Sequence, residues 1–86
     1  MTVTLRLFAA AREAAGRGRD EFDPSDAPTV GALLDAAAAV YGATFRSVLA
    51  TSRVWVNGDE PAAGLATALA DGDEVAVLPP VSGGIA

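Results

Sequence analysis

An 86-residue chain makes one domain, long enough to bury a core without metal or disulfide staples. It contains no histidine, cysteine or lysine, which removes Ser-His and Cys-His nucleophilic mechanisms and the ordinary zinc donor sets. A formal net charge of −5 argues against nucleic acid as a partner, because phosphate contacts dominate that affinity, and suits docking on a basic partner surface.

Thr2 to Phe8 alternates polar and apolar residues, which predicts a strand with Val3, Leu5 and Leu7 inward. Ala9 to Ala15 reads as one or two helical turns ended by Gly16. Arg17 to Phe22 is the second predicted strand, with Phe22 as its inward anchor. Residues 23–28 form a loop rich in Asp and Pro. Thr29 is placed as the N-cap of a helix from Val30 to about Tyr41. Val30, Leu33, Leu34, Ala37 and Tyr41 follow the spacing of one buried face, and Gly42 supplies the stop.

Phe45 to Ala50 reads as a short helical turn. Arg53 to Asn57 alternates again, with Val54 and Val56 inward, and Asn57-Gly58 marks a tight turn. Leu65 to Leu69 is a connection with two apolar anchors. Asp71-Gly72-Asp73 is a turn, and Glu74 to Leu78 is the last strand. Pro79-Pro80 ends it, because proline has no N–H to give a ladder. Strands with one long helix predict a two-layer α+β domain with the helix on one sheet face. Residues 1–78 are the expected domain and residues 79–86 a flexible tail.

The hydrophobic fraction is 51%, but much of it is alanine, so a thin core is expected. No apolar run approaches the ~20 residues needed to span a bilayer. No signal peptide is visible before the first strand, so a cytoplasmic protein without membrane contact is expected. The carboxylates cluster as Asp20, Glu21, Asp23 and Asp26, as Asp59 and Glu60, and as Asp71, Asp73 and Glu74. Each cluster lies beside Gly or Pro and reads as solvated turn acids rather than as a catalytic pair. No bound cofactor is expected, and the chain is not read as an enzyme.

The C-terminal segment is Leu78-Pro79-Pro80-Val81-Ser82-Gly83-Gly84-Ile85-Ala86. The chain resembles the molybdopterin synthase small subunit and its relatives, the ubiquitin-like sulfur carriers (MoaD/ThiS-like proteins). The resemblance rests on Leu7-Phe8-Ala9-Ala10-Ala11-Arg12-Glu13, on Thr29-Val30 and on Val56-Asn57-Gly58. Most of all it rests on Asp71-Gly72-Asp73-Glu74-Val75-Ala76 followed by Pro79-Pro80-Val81-Ser82-Gly83-Gly84. It implies a β-grasp fold, with a mixed four- to five-stranded sheet and one main helix on one face. It also implies that the carboxylate of Gly84, beside Gly83, is adenylated by an E1-like enzyme using ATP and converted to a thiocarboxylate. The sulfur then passes to the molybdopterin synthase large subunit or to another acceptor enzyme.

The residues suit this chemistry. A free α-carboxylate is ionised at pH 7, with a pKa of ~3.5, and is a poor electrophile until activated. Glycines without a Cβ thread narrow channels, and Pro79-Pro80 stiffens the base of the tail. Without cysteine, sulfur cannot ride on this chain as a persulfide. Val81 and Ser82 complete the segment expected to enter a partner. Alternation puts Phe8, Trp55 and Leu78 on the outer sheet face. The β-grasp makes their strands neighbours, so they are expected to form one partner-binding patch.

Ile85-Ala86 departs from relatives that end at the second glycine. With these residues attached, the Gly84 carbonyl lies in a peptide bond and cannot be adenylated. The favoured reading is removal by a peptidase, as a JAMM-type metalloprotease does for some relatives. The alternatives are residues added during cloning or a carrier that has lost its chemistry. Three functions stay open: molybdopterin synthase small subunit, a carrier for cysteine, thiamine or secondary-metabolite synthesis, and a protein modifier or non-covalent binding module.

Overall fold

Two alternating segments build the centre of the molecule, a computed structural model that describes residues 1–80. Strand β1 (Val3–Leu7) buries Val3, Leu5 and Leu7 on one face, and β4 (Glu74–Leu78) buries Val75 and Val77 on the same face. They pair in parallel, Leu5 beside Val75 and Leu7 beside Val77. β2 (Arg19–Phe22) pairs antiparallel with β1, and β3 (Arg53–Val56) pairs antiparallel with β4. The sheet is thus mixed and four-stranded, in the order β2-β1-β4-β3.

Helix α2 (Val30–Tyr41) covers the inner face with Val30, Leu33, Leu34, Ala37 and Ala38, all buried. The Ala32 N–H donates to Thr29 Oγ1 at 3.2 Å, the expected N-cap. Gly42 stops the helix at a φ of 99°, a value open to glycine but not to residues with a Cβ. Two seven-residue helices, α1 (Ala9–Ala15) and α3 (Ala43–Leu49), pack on each other, and α3 also packs on α2. α3 buries Phe45 completely, against Tyr41 in an edge-to-face pair with ring centroids 5.0 Å apart. The expected helical turn from Phe45 to Ala50 therefore starts two residues earlier and forms a full element.

Some expectations shift. β2 starts at Arg19 rather than Arg17. Residues 16–18 are consumed in the turn from α1, where the Leu7 N–H donates to the Gly18 carbonyl at 2.9 Å. Leu69 is a buried anchor, but Leu65 is 63% exposed. A short 3₁₀ turn (Gly64–Ala66) packs against α2 with Leu65 close over Gly31, while most of the Leu65 side chain stays in solvent. A Cβ at Gly31 would sit 3.2 Å from the Leu65 carbonyl oxygen, so glycine permits that approach. Val54 and Val56 are only half-buried, because β3 is an edge strand. Tyr41 is half-buried too, and its hydroxyl donates to Asp20 Oδ2 at 2.5 Å, tying α2 to β2. Among the described residues, no helix is long and apolar enough to cross a membrane.

Candidate functional site

Strand directions decide what gathers at each end of the sheet. β4 finishes at the end where β1 also finishes and where β2 and β3 begin. That end therefore holds Leu78, Pro79 and Pro80 together with Phe8, Arg19 and Arg53. On the outer face Arg53 lies opposite Leu78, and Trp55 lies opposite Ala76. Trp55, Leu78, Pro79 and Pro80 line one shallow hollow of about 360 Å³ with Thr51 and Arg53. Trp55, Leu78 and Pro79 are half-buried and Pro80 is exposed. On this face Ala76 pairs with Trp55 on one side and Arg6 on the other, so only a methyl group stands between them.

Phe8 is 38% exposed and lies in a different hollow. Its neighbours there are Arg6, Leu7, Arg12, Gly18 and Arg19, around a volume of about 380 Å³. The reason is local. Strand β1 ends at Leu7, and Phe8 is the extended residue before α1. Ala9 turns the chain with a φ of 49°, a left-handed conformation that costs a residue with a Cβ about 1 kcal/mol. The Arg6 guanidinium then lies 5.6 Å from the Phe8 ring centroid. The expected single patch of Phe8, Trp55 and Leu78 is thus two neighbouring hollows, one apolar and one basic. Val81, Ser82, Gly83 and Gly84, and the expected removal of Ile85-Ala86, lie outside the described residues.

The Asp71-Gly72-Asp73-Glu74 segment sits at the opposite end of the sheet, where it is a clamp. The Thr2 N–H donates to Asp71 Oδ1 at 2.7 Å, and the Gly72 N–H donates to the Thr2 carbonyl at 2.8 Å. Asn57 Nδ2 donates to Asp73 Oδ1 at 3.0 Å, while Asn57 Oδ1 accepts from the Glu74 N–H at 2.9 Å. The Ala70 N–H donates to Asp73 Oδ2 at 2.8 Å. These donors, the Asn57 amide first and the Ala70 N–H second, hold the Asp73 carboxyl below its ordinary value. Asn57 takes a φ of 52°, which asparagine tolerates better than most residues. The turn predicted at Asn57-Gly58 is therefore also the partner of the turn at Asp71 to Asp73.

Sequence reading did not single out the arginines. Of six basic residues, Arg6, Arg12, Arg17, Arg19 and Arg53 belong to the segments that meet where β4 finishes. Arg46 is the exception, on α3 facing Asp35 at 3.9 Å. Alternation alone puts Arg6 and Arg19 on the outer face, opposite each other in register. That was the available signal. The overall charge of −5 averages it away.

The chain matches the model of the ThiS family over residues 5–84. It is 38% identical to small archaeal modifier protein 3 of Haloferax volcanii, over 98% of this chain and 100% of that protein. Its structure resembles that of SAMP1 from Haloferax volcanii, with a TM-score of 0.82 at 34% identity, covering 96% of this chain and 99% of that one. It also resembles a candidate molybdopterin converting factor, subunit 1, from Pyrococcus furiosus, with a TM-score of 0.80 at 26% identity, covering 94% and 99%. The expected ubiquitin-like β-grasp is borne out, with a mixed four-stranded sheet and α2 as the one main helix beside the two short ones. The chain belongs to the ThiS family of ubiquitin-like sulfur carriers and modifiers, small proteins that are not themselves catalytic enzymes.

Proposed function

We propose that the chain is a sulfur carrier that works through the carboxylate of Gly84, as the small subunit of a molybdopterin synthase. The observation that carries this reading is where the family match stops. It runs through the last strand and Pro79-Pro80 and ends on Gly84, leaving out Ile85-Ala86. From Pro79 to Gly84 the chain has a maximum reach of ~20 Å at 3.3–3.6 Å per residue. That is enough for the Gly84 carboxylate to enter a partner's site while the sheet stays outside.

The chemistry begins with hydrolysis of the Gly84–Ile85 bond, for which a JAMM-type metalloprotease is the expected agent. An E1-like enzyme then joins the carboxylate to the AMP part of ATP and releases pyrophosphate. A sulfur nucleophile at the oxidation level of sulfide attacks the acyl carbon and displaces AMP, leaving a thiocarboxylate. In the large subunit's site the thiocarboxylate sulfur attacks a carbon of the acceptor and displaces an oxygen leaving group there, and water then cleaves the resulting thioester at the acyl carbon, which leaves the sulfur on the acceptor and returns the carboxylate. This chain contributes a docking body and an electrophile without a Cβ. The bases, metals and nucleotide sites belong to its partners.

A second reading has its own observation. The 38% identity is to a protein named as a modifier, which favours transfer of the Gly84 acyl group to lysines of other proteins. The absence of lysine prevents chain formation on its own side chains. Incubation with the E1-like enzyme, ATP and a sulfide source, read by intact mass, tests the first reading. With the chain first trimmed after Gly84 it predicts one carboxylate oxygen replaced by sulfur, with no such change in the untrimmed chain, and co-purification with a molybdopterin synthase large subunit. Isopeptide remnants of Gly84 on target lysines, without any thiocarboxylate, would establish the second reading instead.

A further inference from the structure

We infer that the partner surface around the opening that receives the tail is acidic, and that it seats on the basic hollow formed by Arg6, Arg12 and Arg19 around Phe8. The inference rests on the carrier reading above and names the chemistry of its partner. The hollow is built rather than incidental. Arg12 lies flat over Gly18, where an added Cβ would stand 3.3 Å from its Nε. Arg6 is held over the Phe8 ring. Arg19 lines the same space from the facing strand.

These cations are available. Arg6 meets Glu74 at 3.5 Å and Arg19 meets Glu21 at 3.4 Å, and all of these side chains are well exposed. Exposed pairs of this kind are weak and exchange readily for a better acceptor. Among the described residues, no carboxylate oxygen lies within 4.0 Å of the Arg12 guanidinium. Arg53, in a loose exposed pair with Glu60 at 3.9 Å, adds a fourth cation at the rim of the adjoining apolar hollow. The Asp71 and Asp73 clamp, by contrast, occupies the far end of the sheet.

The result is a chain of net negative charge with a basic end, and that end is where β4 finishes. An acidic opening repels the body and attracts this end, so the protein approaches with the Pro79-Pro80 end forward. A polyphosphate surface fits less well. It offers nothing to Trp55, Leu78 and Pro79 in the adjoining hollow, and the acidic body repels it. A protein surface with carboxylates beside apolar side chains satisfies both hollows together.

Calorimetric binding of the full chain to the E1-like adenylating enzyme of the same genome tests this, with thermal melts confirming that each variant is folded. Wild-type affinity should fall between about 50 mM and about 500 mM salt, where screening shortens from roughly 14 Å to about 4 Å. Arg12→Glu should weaken low-salt binding about tenfold and flatten the salt dependence, while Arg12→Lys stays within about threefold. Arg46→Glu makes the same charge change on α3 and should stay within about twofold. The inference is overturned if wild type binds and Arg12→Glu is silent, or if Arg46→Glu costs as much as Arg12→Glu. A wild-type chain that binds at no salt concentration defeats the carrier reading itself, and this inference with it.

Discussion

Trp55 and Leu78 sit half-buried on the outer face of a sheet whose opposite face holds the core. Residues in that position lose little on truncation in the free protein, because water already reaches them. Trp55→Ala and Leu78→Ala are expected to cost about 1 kcal/mol of stability or less, against ~3–5 kcal/mol for a fully buried aromatic. Both should weaken binding to the E1-like enzyme tenfold or more. Denaturant melts and binding isotherms on the same samples separate the effects, and a loss of several kcal/mol would place these side chains in the core. Tyr41 makes a different case. Burial first, and then its hydrogen bond to Asp20, push the phenol well above its ordinary value of ~10. A group raised in this way contributes stability below its unfolded pKa and loses it as pH rises through the folded one. Absorbance titration of this single tyrosine should show no ionisation near pH 10 in the folded protein. Tyr41→Phe should cost about 1 kcal/mol at neutral pH, for one hydrogen bond at a half-buried site.

Among the elements, the clamp that joins the Asn57 turn to the Asp71 to Glu74 turn carries a pH dependence. Asp73 is held ionised by the Asn57 amide and the Ala70 N–H, so its folded pKa lies below ~3.9. Its contribution is present above that value and fades as pH falls through the folded one. Urea denaturation from pH 6 to about pH 2.5 should show a steeper loss for wild type than for Asp73→Asn, which is already weakened at pH 6. Parallel curves would remove Asp73 from the account. Much of the architecture was readable, for definite reasons. Val3, Leu5, Leu7, Val75 and Val77 alternate because one sheet face is fully buried, and the Val30 to Tyr41 spacing follows from one buried helix face. Leu65 was misread because one leucine in a glycine-flanked segment has no period, and the close approach at Gly31 is set by distant chain. The full burial of Phe45 had no signal in its own short helical turn, since it depends on Tyr41 and on the packing of α1 against α3.

At the scale of the whole molecule, the two ends of the sheet have separate duties. One end is a hydrogen-bonded clamp that fixes the N-terminal strand against β4. The other gathers the apolar hollow, the arginines and the start of the Pro79-Pro80 segment. The segment proposed to carry the chemistry, Pro79-Pro80-Val81-Ser82-Gly83-Gly84, stands out in the sequence and falls within the family match. The basic hollow was not legible there, because Arg12 and Arg19 meet only through the turn at Gly18, and a net charge cannot report where its charges lie. The central claim is that Gly84 is the working terminus. Intact mass of the protein isolated from its native host tests it most directly. The account predicts a chain that ends at Gly84, in part with sulfur in place of one carboxylate oxygen. A chain that keeps Ile85-Ala86 under all growth conditions, with no thiocarboxylate at any time, would contradict it.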